Sequence, residues 1–322
     1  MKRVLRALAV GAGVLLGVLL IGPFIIPVPP LKDTRPVEEL AEADSRFMEV
    51  EGVNLHFKMY GEGEPALILL HGFAASLFSW REVIQPLSRD HLVIAYDRPG
   101  FGLTERPLEW TGQNPYSPES QVDLLKGLMN QLGIERAVLI GNSTGGAVAA
   151  NAALRYPERV QALVLVNPAI NTHNRFPAWV KPLLHTPQAD HVGPLLTRRF
   201  KDLGIQLGQT AWHDPSKITE EVWEGYLKPL QAENWDRGLW EFMAASQEPR
   251  TQINLGNLSL PILVITGDDD RVVPTEQSIQ LAKNLSNASL VNLPNCGHVP
   301  HEECPEPFLE AITNFLNTVN PG

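Results

Sequence analysis

Hydrophobic and polar residues alternate from Phe47 to Met59, on either side of the pair Glu51-Gly52. Alternation is typical of strands with one buried face, and a turn between two such strands indicates an antiparallel hairpin. Six short, nearly continuous apolar runs follow, separated by stretches of helix length: Ala66–Leu70, Leu92–Ala95, Ala137–Ile140, Ala162–Val166, Ile262–Thr266 and Ser289–Leu293. Continuous runs are typical of strands buried on both faces, so the pattern predicts a mostly parallel sheet flanked by helices, an α/β fold.

The spacing of the apolar runs is broken once, between the fourth and the fifth. From Pro168 to about Leu258 the chain has helix-compatible stretches and prolines but no strand-like run, which predicts a helical cap inserted between two strands. Five of the seven tryptophans lie in this cap: Trp179, Trp212, Trp223, Trp235 and Trp240. Packing within the cap is enough to explain each one singly, but their concentration also fits an apolar roof over a binding site.

Apolar residues at helical spacing predict further helices over Pro118 to Leu132, Thr275 to Leu285 and Glu306 to Val319. Together these patterns divide the chain into an N-terminal anchor (1–30), a linker (31–45), a core made of two pieces (46–167 and 259–322) and the cap (168–258). The linker is rich in proline and acidic residues, and we interpret it as a tether between the anchor and the core.

The N-terminal segment from Ala7 to Ile26 has no charged residue. As a helix its twenty residues would span about 30 Å, the thickness of the hydrocarbon core of a bilayer. A cleaved signal peptide, and hence a secreted protein, is the alternative, but the nearest small-x-small site, Ala41-Glu42-Ala43, lies far beyond the apolar run. We therefore expect an uncleaved single-pass anchor. Three basic residues, Lys2, Arg3 and Arg6, precede it and two, Lys32 and Arg35, follow it, so we expect the catalytic domain on the non-cytoplasmic side.

Composition narrows the possible partners of the chain. The net charge of −10 over 322 residues argues against nucleic acid as a partner and against a polybasic membrane contact. The two cysteines, Cys296 and Cys304, are eight positions apart and lack C-x-x-C spacing, so we expect neither a zinc site nor a disulfide framework. No metal or organic cofactor is implied.

The stretch Gly141-Asn142-Ser143-Thr144-Gly145-Gly146 carries the pattern G-x-S-x-G between a strand-like run and a helix-like run. A serine on such an abrupt turn is held exposed at the end of a strand, and glycine neighbours let the backbone fold tightly around it. The pattern alone also fits a glycine-rich turn with an incidental serine, so the remaining strand ends must decide.

Two further strand ends supply the partners that a nucleophilic serine needs. His298 lies in a loop after the last strand, and three adjacent carboxylates lie in a loop just beyond the preceding strand, in Gly267-Asp268-Asp269-Asp270-Arg271-Val272-Val273-Pro274. A histidine can take the proton of the serine, and a carboxylate can orient that histidine. Asp268 and Asp269 are explained as caps of the following helix, and His301 as a solvated surface residue.

Reaction at a carbonyl also requires donors for the developing oxyanion. The backbone N–H of Thr144, directly after Ser143, is one expected donor. The N–H of Phe73, in the loop His71-Gly72-Phe73 after the first long strand, is the other. We expect His71 to brace this loop rather than to react.

These motifs, together with Asp97-Arg98-Pro99-Gly100-Phe101-Gly102, resemble the α/β-hydrolase superfamily from about Phe47 to Val319. The resemblance implies an eight-stranded, mostly parallel sheet with a helical cap, a structural role for the turn that begins at Asp97, and Asp270 as the acid. Gly-Asn-Ser-x-Gly-Gly is similar to the branch that includes carbon–carbon bond hydrolases, but those usually have tryptophan after the histidine, where this chain has Val299. Haloalkane dehalogenases and epoxide hydrolases need aspartate at position 143.

The sequence therefore predicts a membrane-tethered serine hydrolase with Ser143, His298 and Asp270 as catalytic residues and Phe73 and Thr144 as oxyanion donors. An apolar, lipid-like carboxylic ester is the expected substrate. A carbon–carbon bond hydrolase or acyltransferase of the same fold is one alternative. A ligand receptor that retains the triad but turns over little is another.

Overall fold

The structure is a computed structural model that describes residues 2–170, 177, 179–246 and 253–319, apart from the side chains of residues 200–202. Eight strands form one sheet: β1 (Arg46–Val50), β2 (Val53–Tyr60), β3 (Ala66–Leu70), β4 (Val93–Tyr96), β5 (Ala137–Asn142), β6 (Val160–Val166), β7 (Ile262–Gly267) and β8 (Ala288–Leu293). Their order is β1-β2-β4-β3-β5-β6-β7-β8. β1 and β2 form the expected antiparallel hairpin, β2 also pairs antiparallel with β4, and the other pairs are parallel.

In the described part of the chain, helices pack on both faces of this sheet, form the insertion between β6 and β7, and precede β1. They are α1 (Lys2–Ile25), α2 (Val37–Leu40), α3 (Arg81–Leu87), α4 (Pro118–Gln131), α5 (Thr144–Arg155), α6 (Pro187–Thr197), α7 (Phe200–Ala211), α8 (Glu220–Leu227), α9 (Trp235–Ala245), α10 (Thr275–Lys283), α11 (Pro300–Glu303) and α12 (Pro305–Val319). Short 3₁₀ segments cover Leu77–Trp80, Pro157–Arg159, Lys181–His185, Pro215–Lys217, Lys228–Gln231 and Leu255–Asn257.

The central strands are buried on both faces, as their continuous apolar runs predict. In β3, for example, Ile68 and Leu70 pack into the cluster on one face, whereas Leu67 and Leu69 pack into the cluster on the other. β8 differs because it is the edge strand, and Ser289 and Leu290 on it are exposed.

Helices α6 to α9 form the cap, which is inserted between β6 and β7 as predicted. Part of the region assigned to the cap from the sequence, 171–176, 178 and 247–252, lies outside the described residues. Among the five cap tryptophans, Trp212, Trp235 and Trp240 are buried, whereas Trp179 is 72% exposed.

The linker is not a free tether. Leu40 of α2 is buried in a small cluster with Leu103 and Ala232. Arg35 also pairs with the cap through its backbone: its N–H donates to Gln231 O over 2.8 Å, and its carbonyl accepts from Glu233 N–H over 3.0 Å. The linker therefore packs against both the core and the cap.

Helix α1 is long and apolar enough to cross a membrane, and none of its residues is buried. Its C-terminal end contacts helix α6 of the cap. The Nε2 amide of Gln188 donates to Leu20 O over 3.1 Å, and a ring N–H of His191 donates to Ile26 O over 3.0 Å.

Candidate active site

Ser143 occupies the turn between β5 and α5, with φ of 53° and ψ of −119°. A φ in this region is strained for a residue with a side chain, and surrounding contacts must hold it. Ser143 N–H donates to Val166 O over 2.9 Å, and its carbonyl accepts from Ala169 N–H over 3.0 Å. The flanking glycines are required by space, because a Cβ on Gly141 or Gly145 would lie 2.6 Å or less from backbone atoms of the neighbouring segments.

Asp270 and His298 are joined by a hydrogen bond of 2.7 Å between Oδ2 and Nδ1, and both side chains are buried. The other carboxylate oxygen of Asp270 accepts from the N–H groups of Val272 and Val273, over 2.8 and 2.9 Å. These two bonds fix the plane of the carboxylate. An ionised carboxylate only accepts, so the imidazole donates from Nδ1, and Nε2 of the neutral ring carries the free lone pair.

Two asparagines connect the loops that carry these residues. Asn142, directly before Ser143, donates from Nδ2 to His298 O over 3.1 Å. Asn167, after β6, donates to Gly297 O over 3.0 Å and accepts from Gly267 N–H over 3.2 Å. The ends of four neighbouring strands are thereby tied together. The sequence does not predict either role. It shows only that each asparagine lies at the end of a buried strand.

The loop after β3 passes directly over Ser143. A Cβ on Gly72 would lie 2.8 Å from Oδ1 of Asn142 and 3.2 Å from the Cβ of Ser143, so glycine lets the backbone pass here without displacing either side chain. Phe73 follows Gly72, and Thr144 is the first residue of α5, where backbone N–H groups lack intrahelical acceptors. Both predicted oxyanion residues thus lie next to Ser143 or Gly72, in the wall of the cavity that Ser143 also lines.

His71 braces this loop, as expected. Its Nδ1 donates to Gly72 O over 2.8 Å, and its Nε2 accepts from Arg98 N–H over 3.0 Å. Burial, with the nearby Arg98 charge, lowers the pKa of His71 to about 3, so the ring is neutral. Arg98 also donates from Nη2 to Thr144 Oγ1 over 2.9 Å, and so connects the two segments that carry Phe73 and Thr144.

Asp97 shapes the turn beside the site, as the resemblance implies. Its carboxylate bonds the ring of His56 over 2.7 Å and accepts from the N–H groups of Leu77 and Leu103. Burial alone would raise the pKa of Asp97, but the His56 hydrogen bond and charge outweigh it and lower the pKa to about 2. All of these contacts stabilise the turn, so the role of Asp97 is structural.

Three predictions about individual residues near the site are wrong. Asp268 and Asp269 do not cap the following helix: Asp268 accepts from Cys296 N–H over 3.3 Å, and Asp269 bonds the ring of His213 over 2.8 Å. It is Asp270 that closes the turn. His301 is not solvated but fully buried, with its ring centroid 4.1 Å from that of Trp80. Burial lowers the pKa of His301 well below its usual range.

The two cysteines also depart from expectation. Cys296 and Cys304 form a disulfide, with Cα atoms 6.3 Å apart. The separation of eight residues does not by itself predict the disulfide. The two cysteines meet because the short helix α11 folds the chain back between them. The disulfide closes the loop that carries His298, and it removes both sulfurs as thiolate ligands for a metal beside Glu303.

A cavity of about 1490 Å³ lies between the core and the cap, with Ser143, His298, Phe73 and Thr144 in its wall. Asp270 does not line the cavity itself but is hydrogen-bonded to His298, which does. The cap side of the cavity is mainly apolar and includes Ile205, Leu207, Trp212, Trp223, Trp235 and Leu239. Three of the five cap tryptophans therefore line the roof, as their concentration predicts. The structure thus brings the five predicted site residues to one end of the sheet.

Comparison with known proteins agrees with this geometry. The model of the alpha/beta hydrolase fold family matches residues 65–305. The chain therefore belongs to the α/β-hydrolase family, and it is a hydrolase.

Two curated relatives and one solved structure illustrate the range of similarity. The chain is 32% identical over 274 residues to the uncharacterised hydrolase YugF of Bacillus subtilis, covering 84% of this chain and 97% of that one. It is 31% identical over 296 residues to a 2-hydroxy-6-oxononadienedioate/2-hydroxy-6-oxononatrienedioate hydrolase of Paraburkholderia phymatum, covering 88% and 99%. The crystal structure of a membrane phospholipase A, a bacterial virulence factor, aligns at 26% identity with a TM-score of 0.67 over 99% of both chains.

Proposed function

We propose that the protein is a membrane-anchored serine hydrolase that cleaves a carboxylic ester in a lipid-like substrate. The observation that carries this proposal is the match to the membrane phospholipase A, which covers 99% of this chain and so takes in the apolar helix α1. The carbon–carbon bond hydrolases cover at most 88% of the chain. The ester substrate and the anchor are thus supported by the same relative.

In the proposed mechanism Ser143 Oγ attacks the ester carbonyl, and Nε2 of His298 takes its proton. Asp270 holds the imidazole in the required tautomer and stabilises its charged form. The N–H groups of Phe73 and Thr144 donate to the oxyanion of the tetrahedral intermediate. His298 then protonates the leaving alkoxide, and a water molecule, activated by the same imidazole, releases the acyl group from Ser143.

The cavity supports a long apolar substrate. Its volume of about 1490 Å³ exceeds the ~300–1,000 Å³ that is usual for small-molecule sites. Its roof is made of tryptophan, leucine and isoleucine side chains, which would cover an acyl chain while the carbonyl reaches Ser143.

A carbon–carbon bond hydrolase is the second candidate, because several relatives at about 30% identity carry that name. Val299 follows His298 in this chain, whereas the resemblance to such enzymes implies tryptophan at that position. Rates on a ring-fission dienone and on p-nitrophenyl esters of increasing chain length distinguish the two candidates.

The serine mechanism is tested by labelling the full-length protein with a fluorophosphonate probe. We expect covalent labelling of the native protein and none of Ser143→Ala, with loss of at least ~10³-fold in ester hydrolysis. A folded native protein that neither labels nor hydrolyses any ester would support the ligand-receptor alternative instead.

We also propose that the catalytic domain lies on the non-cytoplasmic side of the membrane. Lys2, Arg3 and Arg6 before the apolar segment favour a cytoplasmic N-terminus. The Cys296–Cys304 disulfide is in keeping with an oxidising compartment. Proteolysis of intact cells or spheroplasts, compared with lysed cells, tests this topology: the domain should be cut without lysis.

A further inference from the structure

The end of the anchor helix and the first turns of α6 lie side by side. Gln188 bonds the carbonyl of Leu20, His191 bonds that of Ile26, and the ring centroids of Phe24 and His191 are 5.6 Å apart. Leu20 is six residues before Ile26, the end of the apolar run, which corresponds to about 9 Å along a helix. If α1 spans a bilayer, His191 therefore lies at the boundary between the headgroups and the acyl chains, and Gln188 reaches up to about 9 Å below it, the depth to which interfacial segments insert.

The chain just before α6 exposes two large apolar side chains. Trp179 is 72% exposed, and Leu183, in the 3₁₀ segment Lys181–His185, is 51% exposed. Single exposed apolar residues are ordinary on protein surfaces. These two belong to the short segment that leads directly into the contact with the anchor, and tryptophan is enriched where proteins meet the headgroup region.

The charges nearby do not oppose contact with lipid. Arg237 pairs with both Asp190, on the first turn of α6, and Glu241, over 2.8 and 3.3 Å. Burial and the nearby Asp190 raise the pKa of Glu241 to about 7, so the arginine compensates most of the negative charge of this group. Lys181 can extend toward phosphate groups while its aliphatic part stays in the apolar layer.

We propose that residues 179–191, which we call the interfacial segment, dock into the headgroup layer of the bilayer and hold the cap against it. The inference rests on the proposed anchor function of α1, and it names the lipid bilayer as the partner of the cap. Helix α7, the next helix in the chain, contributes Ile205, Leu207 and Gly208 to the cavity. The roof of the site is thus directly connected to the element that contacts lipid, which favours transfer of substrate from the membrane.

The first test of docking measures the fluorescence of a label on the interfacial segment and does not depend on catalysis. The full-length variant Leu183→Cys is labelled with an environment-sensitive nitrobenzoxadiazole fluorophore and reconstituted into phosphatidylcholine–phosphatidylglycerol vesicles. The matched control is Leu290→Cys, on the exposed edge strand β8, where the leucine is 37% exposed. The two native cysteines are joined in a disulfide and do not compete for the label.

We expect blue-shifted emission and weak quenching by aqueous iodide at position 183, and unshifted emission and strong quenching at position 290. Equal quenching at the two positions would overturn the proposal. This readout does not depend on hydrolysis, so it stands even if the proposed ester activity is wrong.

A second measurement compares substrates. In the double variant Trp179→Ser/Leu183→Ser, hydrolysis of a phospholipid embedded in vesicles should fall roughly tenfold, because two large apolar side chains no longer enter the bilayer. Hydrolysis of a water-soluble short-chain ester should be unchanged, and Leu290→Ser should affect neither substrate. Equal loss on both substrates, or no loss on the embedded phospholipid, would contradict the proposal.

Discussion

Ser143 shows how local sequence sets a strained conformation. Its φ of 53° is maintained by hydrogen bonds to both sides of the residue and by the absence of side chains at Gly141 and Gly145. Because the glycine spacing, the preceding apolar run and the following helix are all local, this turn could be predicted from the sequence alone.

We expect Gly145→Ala to destabilise the protein by about 1–3 kcal/mol, because the new Cβ would lie 2.2 Å from Leu70 O in the packed core. Gly204→Ala is the matched control: Gly204 is also a helical glycine, and a Cβ there meets no atom of the described residues within 4 Å. That control should be neutral or stabilising by up to ~1 kcal/mol. Urea unfolding followed by circular dichroism measures both, and equal free energies of unfolding would contradict the packing explanation.

His71 should make the protein sensitive to acid. Its pKa is lowered from 6.5 to about 3 by burial and by Arg98, so the unfolded chain takes up a proton that the native protein does not bind. The stabilising contribution of the neutral ring is complete above pH ~6.5 and is lost as the pH falls toward ~3, with a slope of up to ~1.4 kcal/mol per pH unit.

Urea midpoints of the native protein and of His71→Gln at several pH values between 4 and 7 measure this slope. We expect the variant to be less stable at pH 7 but to lose less of its free energy of unfolding on acidification. His185→Gln, at an exposed histidine of the cap, should retain the native slope. A native slope in His71→Gln would show that other groups dominate.

His301 could not be assigned correctly from the sequence. Glu302 and Glu303 follow it in the chain, and charged neighbours favour a surface position. Its burial instead results from the packing of α11 against Trp80, more than two hundred residues earlier in the chain. A contact between residues so far apart in the chain cannot be predicted from the local pattern of apolar and polar residues. Ser143, Asp270 and His298, in contrast, each follow a strand that this pattern identifies.

At the scale of elements, the short helix α11 joins the cap to the loop of His298. Glu303 is buried and accepts three backbone hydrogen bonds. Oε2 accepts from Gly297 and His213, over 2.8 and 2.9 Å, and Oε1 accepts from Asp214 over 2.7 Å. A single carboxylate therefore holds the residue before His298 against the cap.

We expect Glu303→Gln to lower kcat roughly tenfold or more, because the amide replaces one acceptor oxygen by a donor and the His298 loop loses a constraint on its position. KM for a small ester should change much less, since Glu303 does not line the cavity. Steady-state kinetics measures both constants. Glu306→Gln, at an exposed glutamate one turn further along, should behave as the native protein, and an unchanged kcat in Glu303→Gln would refute the positioning role.

The elements themselves were largely predictable, and the linker explains where prediction fails. Buried strands are identified by continuous apolar runs, so β3 to β7 and the insertion of the cap follow from the sequence. The composition of the linker predicts a free tether. It is docked because Leu40 and the backbone of Arg35 find partners around Leu103 and in the cap, which composition does not reveal.

At the scale of the whole molecule, the cap is held on the core by a polar network that also borders the site. Glu302 is buried, pairs with Arg81 of the core and accepts a hydrogen bond from Tyr226 of the cap. Phe78 of the core fills the space beside Gly225, where an added Cβ would lie 2.1 Å from its ring. The fit of cap to core thus depends on residues from three separate segments of the chain. The sequence predicts a roof over the site, but not the shape of the cavity beneath it.

That shape should set the length of the acyl chain that the enzyme accepts. Gly208 of α7 faces Trp223 across a narrow gap, since an added Cβ would lie 2.6 Å from the indole, and both residues line the cavity. Gly208→Leu should displace Trp223 into the space for the acyl chain. The ratio of kcat/KM for a twelve-carbon ester to that for a four-carbon ester should then fall by roughly tenfold or more, since each excluded methylene is worth about 1–3 kcal/mol.

The matched control is Gln206→Leu, which adds the same side chain to the same helix at an exposed position that does not line the cavity. It should leave the ratio of the two kcat/KM values unchanged, so that any loss of helix stability or of membrane association is separated from a change in cavity shape. A p-nitrophenyl ester series on both variants makes the measurement. If Gly208→Leu lowers both rates equally, the acyl chain does not lie beneath α7, and the apolar roof covers the leaving group instead.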